Sequence, residues 1–282
     1  MFGLREISRF LGKPVQLVRF DLGPLSWGYT AGDTPVEVDG LTYVPSGISV
    51  SGVRETTEVA KNRVTITLPI ALDPNAPNPP PTQAFAGIWR PYPPSRKVIA
   101  TVMSMHRGDD DAEVVVNWRG RVAQPEFTDT LLTLTCDNTR ARHRGAGGGH
   151  RCQRACDLVV YGQGPGECNL DKDLFAIPFT LTAASGLTIT APEFGTSSLP
   201  MDGGWVEWVR PDGLIEERTI MAHSGDTLTL EYGAADLAED LEGTAFPGCA
   251  HNWDACAARD NTDNYGGVFH LPTKNPWSGN PP

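Results

Sequence analysis

The sequence has no long apolar run. None of its segments approaches the roughly 18 consecutive apolar residues of a membrane-crossing helix, so no membrane insertion by this chain is expected. The opening stretch, residues 1–13, is interrupted by Arg5, Glu6 and Arg9. A secretory leader needs an unbroken apolar segment, and the expectation is a chain made in the cytoplasm. Positive charge is also scarce, with 23 Lys and Arg against 34 Asp and Glu, a formal charge of −11 and a pI near 5.0. Proteins that grip nucleic acid carry a basic stripe to neutralise phosphates. Only a short Arg/His cluster at 140–154 offers one, so DNA meeting the protein is expected to pass without specific binding.

Motifs of the common enzyme classes are missing as well. There is no Gly-x-Ser-x-Gly and no His-Glu-x-x-His. The Gly-Ala-Gly-Gly-Gly stretch at 145–149 lacks the Lys-Ser/Thr that a phosphate loop needs, which leaves a flexible connector. Asp109, Asp110 and Asp111 do not have the spacing of a calcium loop and read as a solvated hairpin tip.

What is abundant is glycine (30) and proline (24), in a chain of 282 residues with 40% hydrophobic and 20% charged side chains. That mixture is globular, long enough for two modest domains, and favours many short elements joined by turns. Helical spacing appears only at the start, where Leu4, Ile7 and Leu11 predict a short helix over 3–11. Beyond Pro14 the period becomes two. Val18, Phe20 and Leu22 alternate with Arg19 and Asp21, and Val36 and Val38 run through Asp39-Gly40 into Leu41 and Tyr43 as a hairpin. Val64, Ile66, Leu68 and Ile70 form the cleanest strand. Residues 71–96 are crowded with proline and predict an excursion packed through Phe85, Ile88 and Trp89. Strands at 98–106 and 113–122 flank the acidic tip, and Leu132, Leu134 and Cys136 share a face of the next one.

The pattern breaks at 137–172 and resumes as a meander of strands at 179–182, 187–190, 205–209, 214–221 and 227–232. The fold class read from this is mainly β, with two barrel- or sandwich-like domains and a short N-terminal helix. The boundaries are a β-barrel domain at 1–136, a cysteine-bearing linker at 137–172, a small β domain at 173–246, and a closing cysteine motif with an extended tail at 247–282. Met201, Trp205, Trp208 and Met221 read as core or subunit-contact residues. The tail at 275–282 reads either as an extended arm anchored by Trp277 or as a frayed end.

Six cysteines stand at 136, 152, 156, 168, 249 and 256. Cys136 continues an apolar strand face and reads as a buried free thiol, as Cys152 also does. Cys156 and Cys168 enclose one turn-rich loop, and Cys249 and Cys256 enclose a short segment far away in sequence. Two distant thiol pairs on irregular loops suit a four-sulfur metal centre, although both spacings are wider than a Cys-x-x-Cys knuckle and disulfides remain an alternative on spacing alone. All-thiolate sites suit zinc or iron–sulfur clusters. His150 and His251, each near a cysteine, keep a mixed Cys/His zinc site open.

The residues around these cysteines carry a family resemblance. Cys152-Gln-Arg-Ala-Cys156 leading to Tyr161-Gly162 and Cys168-Asn-Leu-Asp171 resembles a stretch of phage tail-tip hub proteins. The run Gly248-Cys249-Ala-His251-Asn-Trp-Asp-Ala-Cys256 is similar to the closing signature of the same family, together with Asn264-Tyr265-Gly266-Gly267 and Pro272-Thr273-Lys274-Asn275-Pro276-Trp277. In the first half, Tyr29-Thr-Ala-Gly-Asp33, Leu41-Thr-Tyr-Val-Pro45 and Trp118-Arg-Gly-Arg-Val122 fit as well. This family includes lambda-type minor tail protein L and the hub protein of gene transfer agents. The resemblance implies a non-enzymatic, homotrimeric β-barrel hub at the virion tail tip, assembled in the host cytoplasm. Its implied partners are the distal tail protein, the central tail-fibre protein, and tape-measure or peptidase proteins of the same tail. It also implies a [4Fe–4S] cluster held by Cys156, Cys168, Cys249 and Cys256. Cys152 stands where the family often has tyrosine, and the Cys156–Cys168 loop is longer than usual, so Cys152 is an alternative ligand to Cys156. The rival readings are a zinc-stabilised binding module, a cell-wall hydrolase and a redox protein.

Overall fold

The computed structural model describes residues 2–8, 12–53, 62–73, 77–109, 111–138 and 152–272. Outside them lie Leu11 of the expected helix, Asp110, the glycine stretch 145–149, His150, most of the Arg/His cluster, and the tail from Thr273 with Trp277. The chain is mainly β and divides into two compact units. One comprises residues 1–145 with 210–214, the other 146–209 with 215–282. There are two sheets, one curled into a half-barrel, and a short N-terminal helix.

The first unit contains β1 (Pro14–Leu22), β2 (Leu25–Thr30), β3 (Val36–Val38), β4 (Leu41–Pro45), β5 (Ser49–Val50), β6 (Val64–Pro69), β7 (Ile99–His106), β8 (Val115–Phe127) and β9 (Leu131–Asn138). They form one sheet in the order β3-β4-β2-β1-β7-β8-β9-β6-β5. The predicted hairpin is β3–β4, with Val38 opposite Leu41 and positive φ at both Asp39 (52°) and Gly40 (75°). A two-residue turn of that kind matches the right-handed strand twist. Val64, Ile66 and Leu68 on β6 pack with Leu132, Leu134 and Cys136 on β9, all within 1% of full burial.

The alternation on β1 is only half of its burial. Val18, Phe20 and Leu22 face the main core, while Val15 and Leu17 on the opposite face join Tyr43, Met103 and Met105 in a second, smaller cluster. A central strand covered on both faces reads as a continuous apolar run. Here only its N-terminal half is covered twice, because farther along Arg19 turns outward to pair with Asp21 at 2.7 Å.

The proline-rich excursion folds back as α2 (Gln83–Ala86) and a 3-10 turn (Gly87–Trp89). Phe85 is fully buried and stacks on Phe20 with centroids 4.3 Å apart, while Ile88 and Trp89 pack partly buried against the same core. Helix α1 (Phe2–Glu6) occupies the start of the stretch expected to be helical. The acidic hairpin tip differs from expectation at Asp109. That side chain is buried and meets Arg5 Nε at 3.5 Å, and Arg5 also donates to the Arg107 carbonyl. The reason is long-range, since α1 brings its cation to a hairpin tip that sequence alone places in solvent. Glu6 makes a second clasp to His106 at 2.8 Å.

The second unit contains β10 (Ile177–Thr180), β11 (Ala183–Ser185), β12 (Thr188–Thr190), β13 (Trp205–Val209), β14 (Ile215–Ser224), β15 (Thr227–Leu230) and β16 (Glu242–Phe246), in the order β10-β16-β13-β14-β15-β12-β11. Its core gathers Phe179, Phe194, Met201, Val206, Trp208 and Ile220. Met221 is 60% exposed and is not a core residue. On a strand the side chain after an inward one points outward, and Ile220 takes the inward place. Strand β16 escaped the sequence reading because Glu-Gly-Thr-Ala-Phe barely alternates. It sits between β10 and β13, and Gly243 is required there, since a Cβ would come within 2.6 Å of the Phe179 ring and 2.8 Å of the Glu207 carbonyl oxygen.

Candidate metal centre

Two irregular segments of the second unit, residues 152–172 and 247–272, are laced together by backbone contacts rather than by an apolar core. The Cys156 N–H donates to the His251 carbonyl at 2.8 Å and the Val268 N–H to the Gln153 carbonyl at 2.7 Å. The Tyr265 hydroxyl donates to the Arg154 carbonyl at 2.6 Å, and the Asn261 amide to the Cys168 carbonyl at 2.7 Å. Four non-glycine residues here take positive φ: Tyr161, Asn169, His251 and Asp260. That conformation is strained for side chains other than Asn and Asp. The His251 N–H points at Cys249 Sγ, 3.4 Å away.

Helix α3 (Trp253–Ala257) carries Cys256. Asn252 caps it, its side-chain oxygen accepting from the Ala255 N–H at 2.8 Å. Beyond the helix Asn261 is a hub. Its amide nitrogen serves Cys168, its backbone carbonyl accepts from Cys256 Sγ at 3.1 Å, and its side-chain oxygen accepts from Asn264 at 2.7 Å.

These contacts bring Cys156, Cys168, Cys249 and Cys256 to the wall of one cavity, which His251, Asn261 and Arg259 also line. About 340 Å³ there is free of protein atoms, counting the opening. Cys152 does not line it and is exposed, and Cys136 is buried in β9 of the other unit. All six cysteines are free thiols. Among the described residues no three His, Cys, Asp or Glu side chains stand close enough to hold an ion as they are.

The electrostatics agree with the shared cavity. Burial lifts the Cys256 thiol above its usual range. The charges of Cys156, Cys168 and Cys249 push it the same way, and the Arg259 guanidinium opposes them. Burial alone accounts for most of the rise at Cys136, whose thiol is pushed up to about 12, with Asp137 adding to it. A thiol is nucleophilic only as thiolate. With iodoacetamide at pH 8, the folded protein is therefore expected to be alkylated at Cys152 and spared at Cys136 until denaturant is added. Peptide mass mapping reads both, and fast labelling of Cys136 in the native protein would contradict its burial.

Sequence reasoning missed Arg259 and Asn261. Neither carries a motif signal, and only the cavity exposes their role.

Residues 200–275, which include Cys249 and Cys256, match the family described as "Phage conserved hypothetical protein BR0599". A protein of Xylella fastidiosa (strain 9a5c), described as uncharacterized, is 33% identical to this chain over 219 residues, 73% of this chain and 45% of that protein. The chain thus spans under half the length of that relative. Among solved structures, a chain of the "Virion of native gene transfer agent (GTA) particle" superposes with a TM-score of 0.73 at 18% identity, over 99% of this chain and 94% of that one. At such identity the likeness shows a common fold.

Proposed function

We propose that this chain is a non-enzymatic hub protein of a phage-like tail tip, and that Cys156, Cys168, Cys249 and Cys256 hold a [4Fe–4S] cluster in its second unit. The observation carrying the second half is the convergence of these four thiols, from two segments about ninety residues apart, on one cavity that leaves out Cys152. The donor set suits the group, because four soft sulfurs favour an iron–sulfur cluster or zinc over hard cations. Two neutral N–H donors, from His251 and Asn261, already face these sulfurs. The group would supply cross-linking, tying residues 152–172 to 247–272 so that binding energy becomes folding energy.

The hub role is supported by the phage family match and by the fold shared with the gene transfer agent virion chain. In this reading the chain forms a homotrimer between the distal tail protein and the central fibre, with tape-measure or peptidase proteins as neighbours. The acidic balance suits a passage through which DNA slides without being held. His251 on the cavity wall favours one second reading, a zinc site of mixed Cys/His ligands in a binding module.

Anaerobic purification with iron, acid-labile sulfide and zinc analysis separates the two. The expected result is brown protein with four irons and four sulfides per chain, as roughly one cluster of that type requires. Colourless protein with one zinc would establish the second reading instead. Negative-stain images of particles lacking this chain should show tails without a finished tip.

A further inference from the structure

The cavity wall holds one charged side chain that the folding of the chain does not account for. Arg259 is 6% exposed. Its guanidinium donates to the Ala255 carbonyl at 2.9 Å and to the Gly248 carbonyl, and it borders the Tyr161 hydroxyl. All of these partners are neutral. Its Nε–H is buried with no acceptor among the described residues. Leaving a buried donor unmade costs about 1–3 kcal/mol, and more for a charged group. A guanidinium held out of water by two carbonyls, with a donor unused, needs an anion beside it.

We infer that Arg259 is the built-in counter-ion of the four-cysteine centre, its Nε–H reserved for a sulfur of the bound group. This rests on the reading that the four thiols hold a metal. Four thiolates around a doubly charged zinc ion or cluster core leave a net charge of about −2. At a half-buried site that charge favours a fixed positive neighbour, and Arg259 lines the same cavity wall as the four thiols. Its position is set by α3, since it lies three residues after Cys256 and directly follows the helix C-cap Ala258. Arginine fits better than lysine, because two of its nitrogens are spent on carbonyls that fix its place while a third, buried, has no partner among the described residues. Outer-shell groups of this type tune both affinity and potential. Arg259 is therefore a positioning and charge-balancing residue, not a ligand.

The test uses the full-length protein reconstituted anaerobically with iron and sulfide, comparing wild type with Arg259→Gln and Arg259→Lys. Two quantities are read, the midpoint potential under dithionite titration and the rate of metal loss to a chelator. Removing the cation disfavours the more negative, reduced cluster. The glutamine variant should need about a tenfold more reducing poise, 59 mV for a one-electron couple, and should release metal at least tenfold faster. The lysine variant should keep the wild-type potential while losing metal faster, because the charge stays and the fork is lost. If the glutamine variant does not fold, the lysine variant decides: a potential shifted as far as tenfold there makes the role geometric and overturns the counter-ion assignment. Wild-type values in both variants overturn it too, with the metal centre intact. A wild-type protein that takes up neither iron nor zinc overturns the centre itself, and the assignment with it.

Discussion

Replacing Cys256 with serine is expected to abolish binding of the proposed metal and unfold residues 152–172 and 247–272, while the seven-stranded sheet stays folded. The asymmetry follows from where the apolar burial is. The sheet has its own core around Phe194, Trp208 and Ile220. In the two segments the buried apolar side chains are few, namely Leu158, Tyr161, Pro247 and Cys256. A metal–thiolate centre contributes on the order of 10 kcal/mol, comparable with the whole stability of a domain at about 5–15 kcal/mol. Hydrogen bonds such as Cys156 N–H to His251 offset only about 1 kcal/mol each and cannot hold two loops without it. Cys249→Ser should behave alike, and Cys136→Ser should leave the metal content unchanged. Metal analysis with hydrogen exchange resolved by segment reads all three. Equal metal loss from Cys136→Ser, or none from Cys256→Ser, would show that the ligand set is wrong.

Phe85→Ala should destabilise the first unit by about 3–5 kcal/mol, the usual cost of emptying a buried aromatic site. Phe85 is wholly buried and touches four rings: Phe20, Trp27, Tyr29 and Trp89, with centroids 4.3–6.0 Å apart. Its helix α2 is a single turn and cannot shift to fill the space, because its flanks are tied down. The Ala71 N–H donates to the Gln83 side chain at 2.8 Å, and the Thr82 hydroxyl donates to the Pro69 carbonyl. Denaturant titration should show a lower midpoint for the transition of the first unit, with that of the second unit unmoved. A loss below about 1 kcal/mol would mean that the excursion is not anchored as described.

Much of the fold was legible because most strands are half buried, and a period of two reports that directly. Residues 64–69, 132–136 and 205–209 were found in this way, as was the Asp39-Gly40 turn, which needs positive φ at both positions. The anchoring role of Phe85, Ile88 and Trp89 was legible because large apolar side chains in a proline-rich stretch have few other uses. The misses share one cause. Strand β16 has a weak pattern and is defined by neighbours on both sides. The second burial face of β1 depends on Met103, Met105 and Tyr43 arriving from elsewhere in the chain. Asp109 was assigned to solvent because Arg5, its partner, lies more than a hundred residues earlier.

The cysteines divide along the same line. By itself the sequence determined that two thiol-bearing segments flank the second domain, and that they lack the apolar periodicity to form a core. The resemblance named Cys156 as the ligand and kept Cys152, four residues earlier on the same loop, as its alternative. Tertiary structure decided between them for the cavity wall: Cys156 is drawn inward by its N–H bond to His251, and Cys152 is left exposed. The same folding placed Arg259 and Asn261 beside the thiols. Local spacing records which way a side chain faces on its own element. Which groups meet across ninety residues is written only in the contacts that close the chain on itself.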